Sequence, residues 1–365
     1  MKPSAFLNLP GLAAGSGTVI LLGLGILLGS RNLRNYDPAL LIYTFGALFA
    51  AFAVAYRYAI WLQRPPTRVY WRRGWQLVCQ GGQLRQNLLT LLHALGGNFA
   101  AQHFIRRRGV SRWIAHLCLS WGTMMAGALT FPLVFGWLHF ESRMDDPQMY
   151  QVLLFGLQVG AFHTTSVVRY VLFNLLNASA VLVLIGALMT LHRRLQDMGA
   201  VAGQQFGNDF VPLLLLLAVS TTGLMLTFSM HALHGDGFVV ISLIHAATVI
   251  AMLLYLPFGK LFHIFQRPLH LSVTLYKHAN STAPPAVCRI CGDGFAGAMH
   301  IADLKTVLDD VGLDWRLNGA GAHYMDVCPP CRRRQVGLWH GRIMAETQGQ
   351  SRDNVSMHGM RLVTR

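Results

Sequence analysis

The sequence predicts an all-α polytopic membrane protein of about six transmembrane helices, followed by a small cytoplasmic metal-binding module. Three observations carry that prediction. Only 12% of the 365 residues are charged and 53% are hydrophobic, whereas a soluble domain carries about 25% charged residues. Six apolar runs each reach the roughly 20 residues that a helix needs to cross a bilayer. Two CxxC pairs stand in a polar C-terminal stretch, beginning near Lys277, that holds 8 of the 15 acidic residues. The expected organisation is a membrane domain over 1–275, a four-cysteine metal-binding module over 276–345 and a flexible tail over 346–365.

The spans are read at 11–30, 38–62, 113–138, 167–191, 211–230 and 239–265. The first follows a single Lys and is not followed by an A-x-A-like site, so it is read as a span and not as a cleaved signal. Orientation follows from the basic residues. The connection from Gln63 to Arg112 has nine arginines and no acidic residue, while "FESRMDDPQMY" has one Arg against Glu141, Asp145 and Asp146. "HRRLQ" is basic again, and "HALHGDGF" has no Lys or Arg. This pattern places both termini, the arginine-rich connection and the C-terminal module in the cytoplasm. Only "RNLR" at 31–34 runs against it.

The net charge is +15. Nucleic-acid binding is not the expected cause, because the arginines sit beside apolar spans, where topology and anionic lipid headgroups account for them. Within the basic connection, "GGQLRQNLLTLLHALGGNFAAQHFIRRRG" mixes apolar positions with arginines. It reads as an amphipathic segment on the inner leaflet or a docking surface for a partner subunit.

Histidines inside the spans are the chemically informative residues, since ionisable groups in a bilayer are costly and usually functional. His245 and His263 are 18 residues apart. On one straight helix that is five full turns, so both would share a face about 27 Å apart, with Pro257 as a candidate kink between them. Three roles are open: a hydrogen-bonded structural residue, a proton relay, or axial ligation of haem iron through a neutral imidazole. Two histidines on one face, one per leaflet, suit the last role best. Matched by depth, the third span offers His116 opposite His263 and His139 opposite His245. His163, His231 and His234 are other outer candidates. Lys260 and Arg112 are candidate partners of haem propionates, or they snorkel to headgroups. Asp209 is either a helix cap or a group in quinol proton chemistry.

The stretches "RRRGVSRWIAHLCLSWG", "GWLHF", "NDFVPLLLLLAVSTTGL" and "LIHAATVIAMLLYLPFGKLFHIFQRP" resemble the cytochrome b membrane subunits related to the gamma subunit of respiratory nitrate reductase. The texture is nearest to the branch of dissimilatory sulfite-reduction complexes and tricarballylate-utilisation membrane proteins. The resemblance spans about residues 85–275. It implies two b-type haems. The last helix would supply one ligand to each, His245 and His263, and a helix after a basic "RxxG" segment would supply His116 and His139. It also implies electron exchange between membrane quinone and a cytoplasmic iron–sulfur or other redox subunit, in a bacterial inner membrane. The chain departs from the tricarballylate-type pattern in having no Cys cluster before the membrane domain, which puts any iron–sulfur relay in another subunit.

"CRICG" and "CPPC" give Cys288, Cys291, Cys328 and Cys331, with 36 residues between the pairs. Two such knuckles meet around one tetrahedral ion. A disulfide reading is disfavoured on the cytoplasmic side. Zinc would make the module a structural clip, and iron would make it rubredoxin-like and redox-active. The adjacent arginines 332–334 read as a docking patch. The competing functional class is a six-span transporter or sensor with metal- or proton-binding histidines and a cytoplasmic zinc domain.

Overall fold

A computed structural model describes residues 8–79, 84–196, 199, 203–316 and 322–360. Six of its helices are long and apolar enough to cross a membrane, and the protein is a multi-pass membrane protein. The chain divides into two compact units, one of residues 1–64 and 88–271, the other of 65–87 and 272–365. The second unit therefore draws part of the arginine-rich connection to the C-terminal module.

In the membrane unit, α1 (Leu9–Gly29) and α2 (Leu41–Gln63) form a close antiparallel pair. The Asn8 side chain caps α1 by accepting from Gly11 N–H, and it also bonds Gln63 at the far end of α2. Following α3 (Pro65–Val78), α4 (Leu84–Ala94) and the four-residue α5 (His103–Arg106) comes α6 (Val110–Val134). Small residues let α6 approach α7 (Val167–Gln196) closely: a methyl group on Gly186 would stand 2.6 Å from the Ala115 carbonyl. Such residues are how helices pack where lipid removes the hydrophobic drive between them. Next are α8 (Val211–Ala232) and α9 (Phe238–Tyr255). Side-by-side packing runs α1–α2–α9–α8–α7–α6. A core of Ile26, Ala47 and Phe135, flanked by Val134 and Trp137, joins the two ends of that series.

The structure corrects two boundaries. The third span ends at Val134 and does not reach 138. Gly136 there has φ +66, a left-handed turn that glycine adopts without a Cβ penalty. The chain then enters a three-stranded antiparallel meander, β1 (Leu138–Ser142), β2 (Met149–Leu154) and β3 (Leu157–His163), where the sequence reads as a plain loop. Its Phe140 and Tyr150 rings each lie, tilted or edge-on, against both Phe162 of β3 and Phe173 of α7. The sixth span is also not one helix from 239 to 265. α9 stops at Tyr255. Pro257 has no N–H to continue it, and the chain turns through 256–259 before a 3-10 turn at 260–262 and the short α10 (His263–Gln266). The five-turn argument that puts His245 and His263 on one face of one helix therefore fails.

In the second unit, α11 (His270–Thr282), from Ser272 onward, packs with α3 and α12 (Ala298–Asp310). Between α11 and α12 lies the hairpin β4 (Pro285–Val287) and β5 (Gly294–Gly297). A long α13 (Pro329–Met360) follows. It is helical over most of 346–365, where the sequence reads as a flexible tail; 361–365 lie outside the described residues. Asp303, nearly buried, accepts a forked pair of bonds from Arg73 (Nη2–Oδ1 2.7 Å, Nε–Oδ2 3.0 Å) and one from the Tyr276 hydroxyl at 2.9 Å. Arg68 pairs with Asp310 at 2.5 Å. Two of the nine arginines of the connection thus face carboxylates of α12.

Candidate functional site

His116 lies two turns into α6, and its Nδ1 is 2.6 Å from Gln102 Oε1. Gln102 is buried and left-handed at φ +52, and its Nε2 donates to Ser120 Oγ at 2.8 Å. Trp113 and Trp121 donate their indole N–H groups to the carbonyls of Ala101 and Ala100, at 2.7 and 3.1 Å. The stretch before α5 is thereby strapped to one side of α6. His263 comes from the segment after α9, and its Nδ1 lies 2.5 Å from the Lys260 carbonyl. Arg267 follows His263 by four residues. It is stacked over Phe104 at 4.8 Å. That stack places the segment carrying His263 against the stretch that holds His116 through Gln102.

His245 sits on α9 against α8. Its Nδ1 is 2.9 Å from Thr222 Oγ1. The Thr222 hydroxyl proton is given to the Ala218 carbonyl at 2.7 Å, so Thr222 receives the imidazole N–H. Gly223 beside it leaves room for the ring: a Cβ there would meet His245 Cε1 at 3.4 Å. A backbone carbonyl can only accept, so His263 is likewise a donor at Nδ1. In each of these three histidines Nδ1 is the fixed atom. Nε2 then carries the lone pair that a metal takes.

His139 is on β1 and not on α6. Both of its ring nitrogens are buried without a hydrogen-bond partner; Glu141 stands 3.2 Å from Nε2 without hydrogen-bond alignment. His163, by contrast, is satisfied at both nitrogens, by Thr165 at 2.7 Å and Gln148 at 3.0 Å. The described polar contacts of His245 include no second histidine.

Lys260 and Arg194 both bind Asp209 Oδ1, the latter at 2.9 Å, and Gln205 N–H donates to Oδ2 at 2.9 Å. Asp209 therefore ties the end of α7 and the start of α8 to the turn after α9. Lys260 is engaged there, and Arg57 holds the Pro257 carbonyl and lies over the Phe262 ring.

The cysteine module assembles four thiols. The Sγ atoms of Cys288, Cys291, Cys328 and Cys331 all lie within 4.8 Å of one another, so the group can hold one metal ion. Gly292, at φ +78, turns the first knuckle back so that its N–H reaches the Cys288 carbonyl at 2.9 Å. Arg289 N–H reaches the Asp326 carbonyl at 3.0 Å and joins the two knuckles. The second knuckle ends at Cys331, in the first turn of α13, which Pro329 opens. Backbone N–H groups of Cys291, Cys328 and Ile290 point at the Cys288 sulfur and bring its thiol down to about 6. Neighbouring thiols push Cys291 up to about 12. Four such sulfurs cannot ionise together without a cation between them. The expected docking patch at 332–334 is narrower than it reads: Arg332 donates to the Val327 and Met325 carbonyls at 2.6 and 3.2 Å and covers the Tyr324 ring.

Sequence reading did not single out Gln102 or Thr222. Each touches its histidine through tertiary packing, so no local spacing marks it. Comparison of the chain with protein-family models, with curated protein sequences and with solved structures gives no match.

Proposed function

We propose that this chain is a dihaem b-type cytochrome subunit that passes electrons between membrane quinone and a cytoplasmic redox partner subunit in a respiratory complex. The observation that carries the reading is that His116 and His263, on segments joined by the Arg267–Phe104 stack, each have Nδ1 in a hydrogen bond. In this reading they hold one haem, and His245 with His139 holds the other. The donor set fits: three imidazoles fixed at Nδ1 have Nε2 left for a metal, and among the described residues neither buried ring nitrogen of His139 has a hydrogen-bond partner. Low burial fits as well, since Leu253 is the sole buried residue of α9, and Ala115 and Gly122 the two of α6. Haem supplies one-electron chemistry; this chain's residues orient the ligands and exclude water. The ion of the four-cysteine module, zinc or iron, shapes the surface that meets the partner or joins the relay. A transporter or sensor would want carboxylates along its path. Among the described residues the one in the apolar spans is Asp209, already paired with two cations.

The test is a reduced-minus-oxidised visible spectrum of the purified protein. A low-spin b-type signal is expected, extractable into acidic acetone because no CxxCH is present for covalent attachment. His116→Ala and His263→Ala should remove the same haem and His245→Ala the other. Protein expressed with ample haem and containing none would end this reading.

A further inference from the structure

We propose that Gln102 is a positioning residue for His116, holding its imidazole in the ligating tautomer and tuning the haem that His116 and His263 share. This rests on the haem reading above. A neutral imidazole puts its single proton on either nitrogen, and a proton on Nε2 blocks ligation. An acceptor aimed at Nδ1 decides between the two and raises the basicity of the ligand. Gln102 Oε1 stands 2.6 Å from Nδ1.

The amide that carries this oxygen is held on every side. Its Nε2 is committed to Ser120, one turn further along the same helix as His116. Its backbone is left-handed, a conformation a non-glycine residue keeps only where its surroundings impose it. The two carbonyls before it are pinned by Trp113 and Trp121. Two indoles, a serine and a strained backbone thus converge on the placement of one side-chain amide. His263 uses a backbone carbonyl for the same purpose, which no substitution can remove. Gln102 is the point at which this haem can be tuned by a side chain.

The experiment is a potentiometric titration of full-length protein in membranes, following each haem's α-band, with haem content from a pyridine haemochromogen assay. Gln102→Leu removes the acceptor, weakens imidazole as a donor to ferric iron and should raise the midpoint potential of the haem held by His116. Gln102→Glu has nearly the same shape but a stronger acceptor, so it should lower that potential. The haem held by His245 should not move in either variant. Opposite shifts at one haem are what a packing role cannot produce. Shifts of the same sign, or none, in protein with its normal haem content would overturn the proposal while leaving the cytochrome reading intact. Absence of haem from the unsubstituted protein would overturn both. Should Gln102→Leu fail to fold, the sign of the Gln102→Glu shift still decides.

Discussion

In the membrane unit, α9 buries one residue along 18 positions, and its side-chain polar contacts are isolated bonds, such as His245 to Thr222 and Tyr255 to the Gly207 carbonyl. In the second unit, the hairpin strands are three and four residues long, and Cys288, Val327 and Cys328 make up the buried core around the knuckles. The first unit needs no dense core, because apolar helices in lipid already satisfy their backbone internally. In the second, the polar atoms are ordered by the Arg73–Asp303–Tyr276 network and by four thiols placed to share one ion. The same chain thus solves the problem of ordering polar atoms in two ways, and the two units should respond differently to loss of one polar group.

Metal removal should separate the units most. Ligation in small cysteine-based modules is worth about 10–16 kcal/mol of apparent folding free energy. Chelation, or Cys328→Ser, should release a bound ion and open the region between Cys288 and Cys331 to protease, while the spectrum of the proposed haems stays as it was. Elemental analysis with limited proteolysis reads both effects. Helices of the membrane unit that melt together with the module would break the comparison. If Cys328→Ser also lowers co-purification of partner subunits, the module carries the docking surface, with Arg333 and Arg334 as its contacts.

Next comes the carboxylate of Asp303. Asp303→Ala would leave the Tyr276 hydroxyl and the Arg73 guanidinium without their common acceptor. Breaking a buried pair costs about 3–5 kcal/mol, and because Arg73 is more than one-third exposed, about 2–3 kcal/mol is the better expectation here. Hydrogen exchange along α12 in the full-length protein measures it. Protection that stays unchanged would show that the network is ornamental to the unit.

Tyr276 gives the network a pH dependence. Burial, and then the Asp303 carboxylate that accepts from it, push the phenol well above its ordinary value. The folded protein keeps this proton where the unfolded chain, with a pKa of about 10, has released it. Stability from this group is whole below about pH 10 and is lost as pH rises from there through the folded value. Tyr276→Phe should cost about 1 kcal/mol at neutral pH and flatten the alkaline decline. A decline as steep in the variant as in the parent would assign it to other groups.

What could be read in advance follows the same division. Span existence was legible because length and apolarity are local. Span ends were not, since Leu256, Phe258, Leu261 and Phe262 keep the run apolar while the backbone leaves the helix around Pro257. The meander over 138–163 was not read, because the connection after the third span was weighed only for its charges, Glu141, Asp145 and Asp146 against one Arg. Cys288, Cys291, Cys328 and Cys331 were legible because two fixed spacings make a chelate. A pairing of His116 with His263 was expected from depth, and the structure adds only the contact of Arg267 with Phe104 between their segments. Gln102, Thr222 and the pairing of Arg73 with Asp303 were not, because each contact is made only by the folded chain.

The smallest effect is expected at Thr222. Thr222→Val keeps the shape of the side chain and removes the acceptor of the His245 Nδ1–H. The Ala218 carbonyl loses a second donor but keeps its own place in the helix ladder. Hydrogen bonds between helices in a membrane average about 0.6 kcal/mol, because the alternatives inside the bilayer also find partners. The variant should therefore unfold within about 1 kcal/mol of the parent in detergent, several-fold less than Asp303→Ala in the second unit. On the cytochrome reading its effect should appear at the ligand instead: freed from Thr222, His245 can place its proton on Nε2, and occupancy of the haem proposed for it should fall while that of the other stays full. A stability loss near that of Asp303→Ala would mean that side-chain bonds in the two units are worth the same, and the contrast between them would have to be sought in the ion alone.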